Sequence, residues 1–135
     1  MRVFPSDWLR VVGCDGKVAV VRRVRAQYAH EKPDRPPLRL EVGEEVQVGD
    51  RDTEWPEFVF VTAPHGMGWV PARHLSQPTG NAVVQTAYDT TELPTRVGEV
   101  LEVVTEDIVS GWLWCHSGNG REGWVPVRTV EEIPR

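Results

Sequence analysis

One block of residues occurs twice in this chain. Gly68-Trp69-Val70-Pro71-Ala72-Arg73 returns as Gly123-Trp124-Val125-Pro126-Val127-Arg128, 55 positions later. Val42-Gly43-Glu44 returns as Val97-Gly98-Glu99, and Leu38 as Leu93, at the same spacing of 55. Trp55 and Trp112 lie 57 apart, and Tyr28 and Tyr88 lie 60 apart. An ordered set of landmarks at a nearly constant offset means two copies of one folding unit with loops of slightly different length. The first copy runs from about Val18 to Leu75 and the second from about Ala82 to Ile133. Ser76-Gln77-Pro78-Thr79-Gly80-Asn81 between them reads as a turn-rich linker. A copy of this size is near the lower limit for a self-sufficient core. Closing a short sheet on itself removes the exposed edges that such a unit otherwise carries.

Each copy is written in strands. With 11 prolines and 12 glycines in 135 residues, the chain is too often interrupted for a helical bundle. Val100–Thr105 is short and β-branched, and Trp112–Ser117 alternates large and smaller side chains. Gly118-Asn119-Gly120 supplies residues that tolerate positive φ in a tight hairpin. Glu122–Pro126 then reads as a strand stopped by proline. The first copy repeats the plan with Glu45–Arg51, Phe58–Thr62, a turn at Pro64-His65-Gly66, and Gly68–Pro71. The expected fold is all-β: two small five-stranded barrels in tandem, residues 24–77 and 78–135. Residues 1–23 precede the repeat. Val11–Val21 holds an Asp15-Gly16 pair between two apolar runs, which predicts a hairpin adding strands to the first copy or standing as an extension.

Charge and special residues exclude several function classes. The net charge is −5, and it comes from residues 79–135, which hold 4 basic and 9 acidic side chains. Such a chain is a poor partner for nucleic acid, where affinity comes from neutralising phosphates. Arg22, Arg23 and Arg25 form the basic exception and read as a solvated strand edge. Cys14 and Cys115 have neither metal-ligand spacing nor a disulfide framework, so each reads as a reduced, buried or half-buried thiol. Cys115 and His116 are strand neighbours and face opposite ways, so they make no nucleophile–base pair. His65 reads as a turn tip. No phosphate loop or recognisable Ser-His-Asp set appears. The expectation is a protein with no catalysis, no metal and no cofactor. No apolar run is long enough to cross a membrane, and Met1–Trp8 does not read as a signal peptide. A cytoplasmic location is therefore expected.

The ordered landmarks resemble the SH3 domain, and among its members the tandem variant SH3 proteins of bacteria. Thr86-Ala87-Tyr88-Asp89-Thr90, Glu92-Leu93, Val97-Gly98-Glu99, Gly111-Trp112 and Gly123-Trp124-Val125-Pro126 carry the resemblance in the second copy. Ala26-Gln27-Tyr28-Ala29-His30, Leu38, Val42-Gly43-Glu44, Glu54-Trp55 and Gly68-Trp69-Val70-Pro71 carry it in the first. The resemblance implies a groove of flat rings that holds an extended, proline-rich or similar segment of a protein partner. In the first copy that groove is Tyr28, Trp55 and Pro71, with His30 and His74 at further tyrosine positions and Glu31 and Asp34 as acids for a basic ligand residue. In the second copy it is Tyr88, Trp112 and Pro126, with Thr90 and Thr129 at the tyrosine positions and Glu92, Glu106 and Asp107 as acids. The family's long loop after the tyrosine motif is nearly absent in the second copy, where only Thr91 separates Thr90 from Glu92. The first copy is therefore the expected peptide site.

Trp69, Trp114 and Trp124 read as packing residues, while Tyr28 and Trp55 read as surface rings. Pro33-Asp34-Arg35-Pro36 is a stiffened loop, or a segment that docks in the groove of another copy. Two functions besides peptide binding fit the same pattern. One is a scaffold of two packed barrels with occluded grooves. The other is cell-wall recognition.

Overall fold

The computed structural model describes residues 21–134. The expected N-terminal hairpin and Cys14 lie outside the described residues. The described chain is built of strands: β1 (Arg23–Ala26), β2 (Arg39–Leu40), β3 (Glu45–Arg51), β4 (Phe58–Ala63), β5 (Gly66–Pro71), β6 (Gly80–Val83), β7 (Tyr88–Asp89), β8 (Val100–Asp107), β9 (Trp112–His116), β10 (Glu122–Pro126) and β11 (Val130–Glu132). Two short 3-10 turns, Ala72–His74 and Val127–Thr129, are the helical elements among the described residues. Each follows a proline, Pro71 or Pro126, that ends the preceding strand.

The strands separate into two compact units, but the units are not the two copies. Unit 1 contains residues up to Lys32 together with Glu92 onward, and unit 2 is Pro33–Thr91. The chain therefore crosses between units twice, at Lys32–Pro33 and at Thr91–Glu92. The expected boundary between residues 77 and 78 falls inside unit 2. Ser76–Asn81, read from sequence as a linker, is part of a hairpin there. The Ser76 N–H donates to Val83 O at 2.9 Å, and Leu75 bridges Val84.

In unit 1 a five-stranded sheet has the order β10-β9-β8-β1-β11. Its fourth strand, β1, comes from the first copy and the other four come from the second. Val24 lies opposite Leu101 on β8 and opposite Glu132 on β11. Arg23 and Arg25 of β1 therefore stand on an interior strand and not on an edge, although both side chains are exposed. Arg22, just before β1, is drawn into ion pairs with Glu106 at 2.7 Å and Glu132 at 2.6 Å. In unit 2 a four-stranded sheet has the order β5-β4-β3-β6, and β6, the leading strand of the second copy, pairs with β3 of the first through Val46 and Ala82. A two-stranded sheet, β2 with β7, completes that unit.

The two units reuse one set of backbone bonds with donors and acceptors taken from opposite copies. In unit 1 the Ala26 N–H donates to Glu99 O and the Gly98 N–H to Ala26 O, both at 2.8 Å. In unit 2 the Val84 N–H donates to Glu44 O at 2.9 Å and the Gly43 N–H to Val84 O at 2.8 Å. Gly43 and Gly98 make this possible at φ of 96° and 90°, a region that side-chain-bearing residues avoid. The same comparison shifts the sequence alignment. The Tyr28 N–H bonds Thr129 O, as the Thr86 N–H bonds His74 O. Tyr28 thus occupies the place of Thr86, and His30, which bridges Thr95, occupies the place of Tyr88, which faces Leu40.

Alternation of burial along the strands follows from the sequence. In β8 Leu101 and Val103 are buried and Val100 and Glu102 are exposed. In β3 Val46 and Val48 are buried between exposed Glu45 and Gln47. The unit 1 core gathers Val24, Leu93, Leu101, Val103, Leu113, Cys115 and Val125. Unit 2 buries Leu38, Leu40, Val59, Val61, Val70, Leu75 and Val84. Gly66 and Gly68 keep the β4–β5 hairpin close to Leu38, since a Cβ on either would stand 3.3 Å from a neighbouring side-chain carbon.

Candidate functional site

The exchange of leading arms redistributes the residues expected to line two grooves. Tyr28, His30 and Glu31 fall in unit 1 with Trp112 and Pro126. Trp55, Pro71, His74 and Asp34 fall in unit 2 with Tyr88. The combination of Tyr28 with Trp55 and Pro71, expected for the first copy, is therefore not assembled within one unit. Neither is that of Tyr88 with Trp112 and Pro126. Each set receives its tyrosine-motif arm from the other copy.

In unit 1 the arm that follows β1 is held to the 3-10 turn after β10. The N–H groups of Gln27 and Tyr28 both donate to Thr129 O, at 2.7 and 3.2 Å. The Thr129 hydroxyl in turn donates to Pro126 O at 2.8 Å. Tyr28 emerges from this anchor 62% exposed. Two residues on, the His30 ring meets the Trp112 ring edge-on, with centroids 5.5 Å apart. Its Nε2 lies 2.8 Å from Glu92 Oε1, in a part-buried pair. Trp112 is only 8% exposed, because His30 covers one side and the strand packs the other. Of the family-type rings in this unit, Tyr28 is the open one. Pro126 is buried and serves to end β10.

Three of the acids expected to meet a basic ligand residue are bonded within unit 1. Glu92 is bonded to His30, and Glu106 is bonded to Arg22. Asp107 shapes the turn before β9 by accepting the Ser110 N–H at its carboxylate and the Gly111 N–H at its carbonyl. Arg22 is somewhat buried, which works to lower its pKa. The bonds and charges of Glu132 and Glu106 outweigh this, so the guanidinium sits above its ordinary value. Glu31 is exposed. No local sequence signal could have found these pairs, because their members belong to different copies or to distant strands.

Unit 2 presents a different arrangement. Tyr88 is 9% exposed and packs edge-on against His74 at 5.2 Å. Thr90 Oγ1 accepts the Leu38 N–H at 2.7 Å, and the Thr90 N–H donates to Leu38 O at 2.9 Å. Asp89 beside it is partly buried, which works to raise its pKa. Hydrogen bonds from the Thr91 hydroxyl and N–H, then Arg39, outweigh burial and hold the carboxyl below the ordinary carboxylate range. Trp55 is half-buried, with Thr53, Glu54 and Glu57 exposed around it. Asp34 is exposed, and Arg35 of the same loop lies over the Phe60 ring at 5.5 Å. Pro71 is buried at the end of β5.

The packing tryptophans behave as read from sequence. Trp69 meets Phe60 edge-on at 5.1 Å, and Trp114 meets Trp124 at 5.2 Å. The Trp114 indole N–H donates to Glu122 at 2.8 Å. Cys115 is a buried free thiol, pushed up to about 12 by burial, while its neighbour His116 is exposed on the opposite face. His65 stands exposed at the β4–β5 turn, 3.0 Å from Arg39 O. Among the described residues no group of three or more His, Cys, Asp or Glu is placed to hold a metal ion.

Residues 85–133 match the variant SH3 domain. The match lies within the second copy and spans the crossing at Thr91–Glu92, so its first residues belong to unit 2 and the rest to unit 1. No curated protein matches the chain. SH3 domains in general bind proteins or peptides and are not catalytic.

Proposed function

We propose that both units are SH3-like barrels which exchange their leading arms, and that the protein is a non-enzymatic module binding an extended segment of a protein partner through unit 1. The reading is carried by Tyr28. A large aromatic side chain left 62% exposed at the end of a backbone-anchored arm is an unusual expense for a surface, and recognition is its common use. Beside it, the His30–Trp112 pair gives a rigid floor, because each ring is fixed by a neighbour. An extended segment that is already straight loses little conformational freedom on such a surface. Micromolar affinity is the expected range for one small groove of this kind, about 8 kcal/mol of binding free energy.

The test is a titration of the full chain against peptides selected from an array of extended, proline-containing sequences. Tyr28→Ala weakens binding about tenfold in this reading, as loss of a central ring does. Binding unchanged both in Tyr28→Ala and in Trp55→Ala removes the reading for both units. A scaffold role is favoured by one observation, the burial of Tyr88 against His74, which leaves unit 2 without an open tyrosine.

A further inference from the structure

In unit 1, β1 is a donated strand in the middle of a sheet. It is bonded through both edges. The Val103 N–H of β8 donates to Arg22 O at 2.9 Å, and beyond β11 the Ile133 N–H donates to Arg23 O at 3.0 Å. Val24 and Ala26 are buried. The second copy cannot supply this strand itself. Its own arm is held in unit 2, where Tyr88 and Asp89 pair with Leu40 and Arg39. Thr91 and Glu92 are consecutive, yet Thr91 is bonded to Asp89 in unit 2 and Glu92 to His30 in unit 1. That crossing has no slack for the arm to return. Residues 92–134 thus form a seat that takes its arm from outside that segment.

The donor is joined to unit 2 by Lys32-Pro33-Asp34-Arg35-Pro36-Pro37. Its three prolines fix φ and push the residues before them toward extended backbone. The chain bends at Asp34 and Arg35, and residues 34–37 are exposed. A proline-rich connection of this kind is a stiff one. An arm from a second copy has the same sequence and makes the same strand contacts, so only the connection separates exchange within one chain from exchange between two. A short flexible connection holds its own arm at an effective concentration on the order of millimolar, and a stiffer one that spans the gap less well holds it lower.

We infer that a second copy of this chain is a partner of unit 1: two chains exchange residues 22–32 reciprocally, and Tyr28 and His30 of one complete the site with Trp112 and Glu92 of the other. The exchange is two-fold and closed, so no seat is left empty. Separating the chains means withdrawing an interior strand, and the dimer once formed persists on dilution. The inference goes beyond peptide binding and holds whether or not unit 1 takes a peptide. It rests on the exchange of arms within the proposed function.

Cross-strand cysteines in the full chain test it, with Cys14→Ser throughout. Arg25 and Val100 face each other across β1 and β8, and both are exposed. Cys115 is buried and takes no part. A chain with Arg25→Cys and a chain with Val100→Cys are mixed unfolded, refolded together under reducing conditions and then oxidised. Disulfide-linked pairs with one chain of each kind are expected in excess over pairs of like chains, and about tenfold more abundant after refolding at about 1 mM than at about 10 µM. The parent chain refolded at the higher concentration shows a dimer by light scattering that survives dilution. Both substitutions placed in one chain and refolded dilute close an internal disulfide, which checks the exchange within one chain. Internal closure without mixed pairs at either concentration overturns the inference and leaves the in-chain exchange standing. A parent that stays monomeric by light scattering at every concentration also overturns it. Arg23→Cys with Glu102→Cys, the neighbouring opposed pair, repeats the test, and no closure with either pair overturns both the inference and the exchange. Circular dichroism checks that each variant is folded.

Discussion

Units 1 and 2 share a backbone plan and differ in what they show to solvent. The turn between β8 and β9 in unit 1 carries Ile108 and Val109. The corresponding turn between β3 and β4 in unit 2 carries Asp52, Thr53, Glu54 and Glu57 around Trp55. The open ring of unit 1 is Tyr28, whereas Thr86 stands in its place in unit 2 and Tyr88 is packed away. Yet both units repeat the glycine turn, the register shift in the long strand, after Val48 and after Val103, and the proline-ended strand before a 3-10 turn. The shared features are those that satisfy buried backbone groups and fill a small core. The features that differ are exposed, where substitution costs little stability. The two units thus keep one backbone plan and differ in what they expose.

The comparison is broken most forcefully by attacking the exchanged strand. Val24 is fully buried in the unit 1 core although it belongs to the first copy. Val24→Ala costs about 2 kcal/mol through lost contacts and a residual cavity. The loss appears as faster amide hydrogen exchange in β8, β9 and β10, with β3, β4 and β5 little affected. The reverse pattern assigns Val24 to the other unit.

Arg22→Ala follows in size. It leaves Glu106, whose side chain is only 18% exposed, without the partner at 2.7 Å, and it also removes the bond to Glu132. The expected cost is roughly 1–3 kcal/mol, read from denaturant unfolding and assigned to unit 1 by the same exchange measurement. The double variant Arg22→Ala with Glu106→Gln recovers part of that loss if the uncompensated carboxylate is its source.

Asp89 sharpens the comparison from the unit 2 side. Its carboxyl lies below its unfolded value in the folded protein. The stability it contributes is therefore present above the unfolded pKa and is lost as pH falls through the folded one. Asp89→Asn lowers the stability of unit 2 by about 1 kcal/mol at neutral pH, and the gap to the parent closes on acidification. A gap of equal size at all pH values means the bonds from Thr91 and Arg39 do not discriminate the charged form.

Much of the fold could be read along the chain because strand alternation and turn residues are local signals. Val100–Thr105, Trp112–Ser117 and Glu122–Pro126 all became strands. The exchange was not legible, since either copy's arm can satisfy the same backbone bonds. A physical reason for it does lie in the residues. If the second copy folded its own arm back, Thr90 would face Leu93 across Thr91-Glu92, and neither residue of that turn suits the positive φ that a tight hairpin favours. The arm instead stays in unit 2, where β7 pairs with β2, and its place in unit 1 is filled by residues 22–32. The candidate site suffered from the same ambiguity. Reading by copy pairs Tyr28 with Tyr88, whereas the backbone bonds make Thr86 its structural counterpart.

Backbone nuclear Overhauser contacts in the full chain test the exchange most directly. The account predicts cross-strand contacts from Val24 to Leu101 and Glu132, and from Ala82 to Val46. Contacts from Val24 to Val46 and from Ala82 to Leu101 would contradict it, and would return each arm to its own copy.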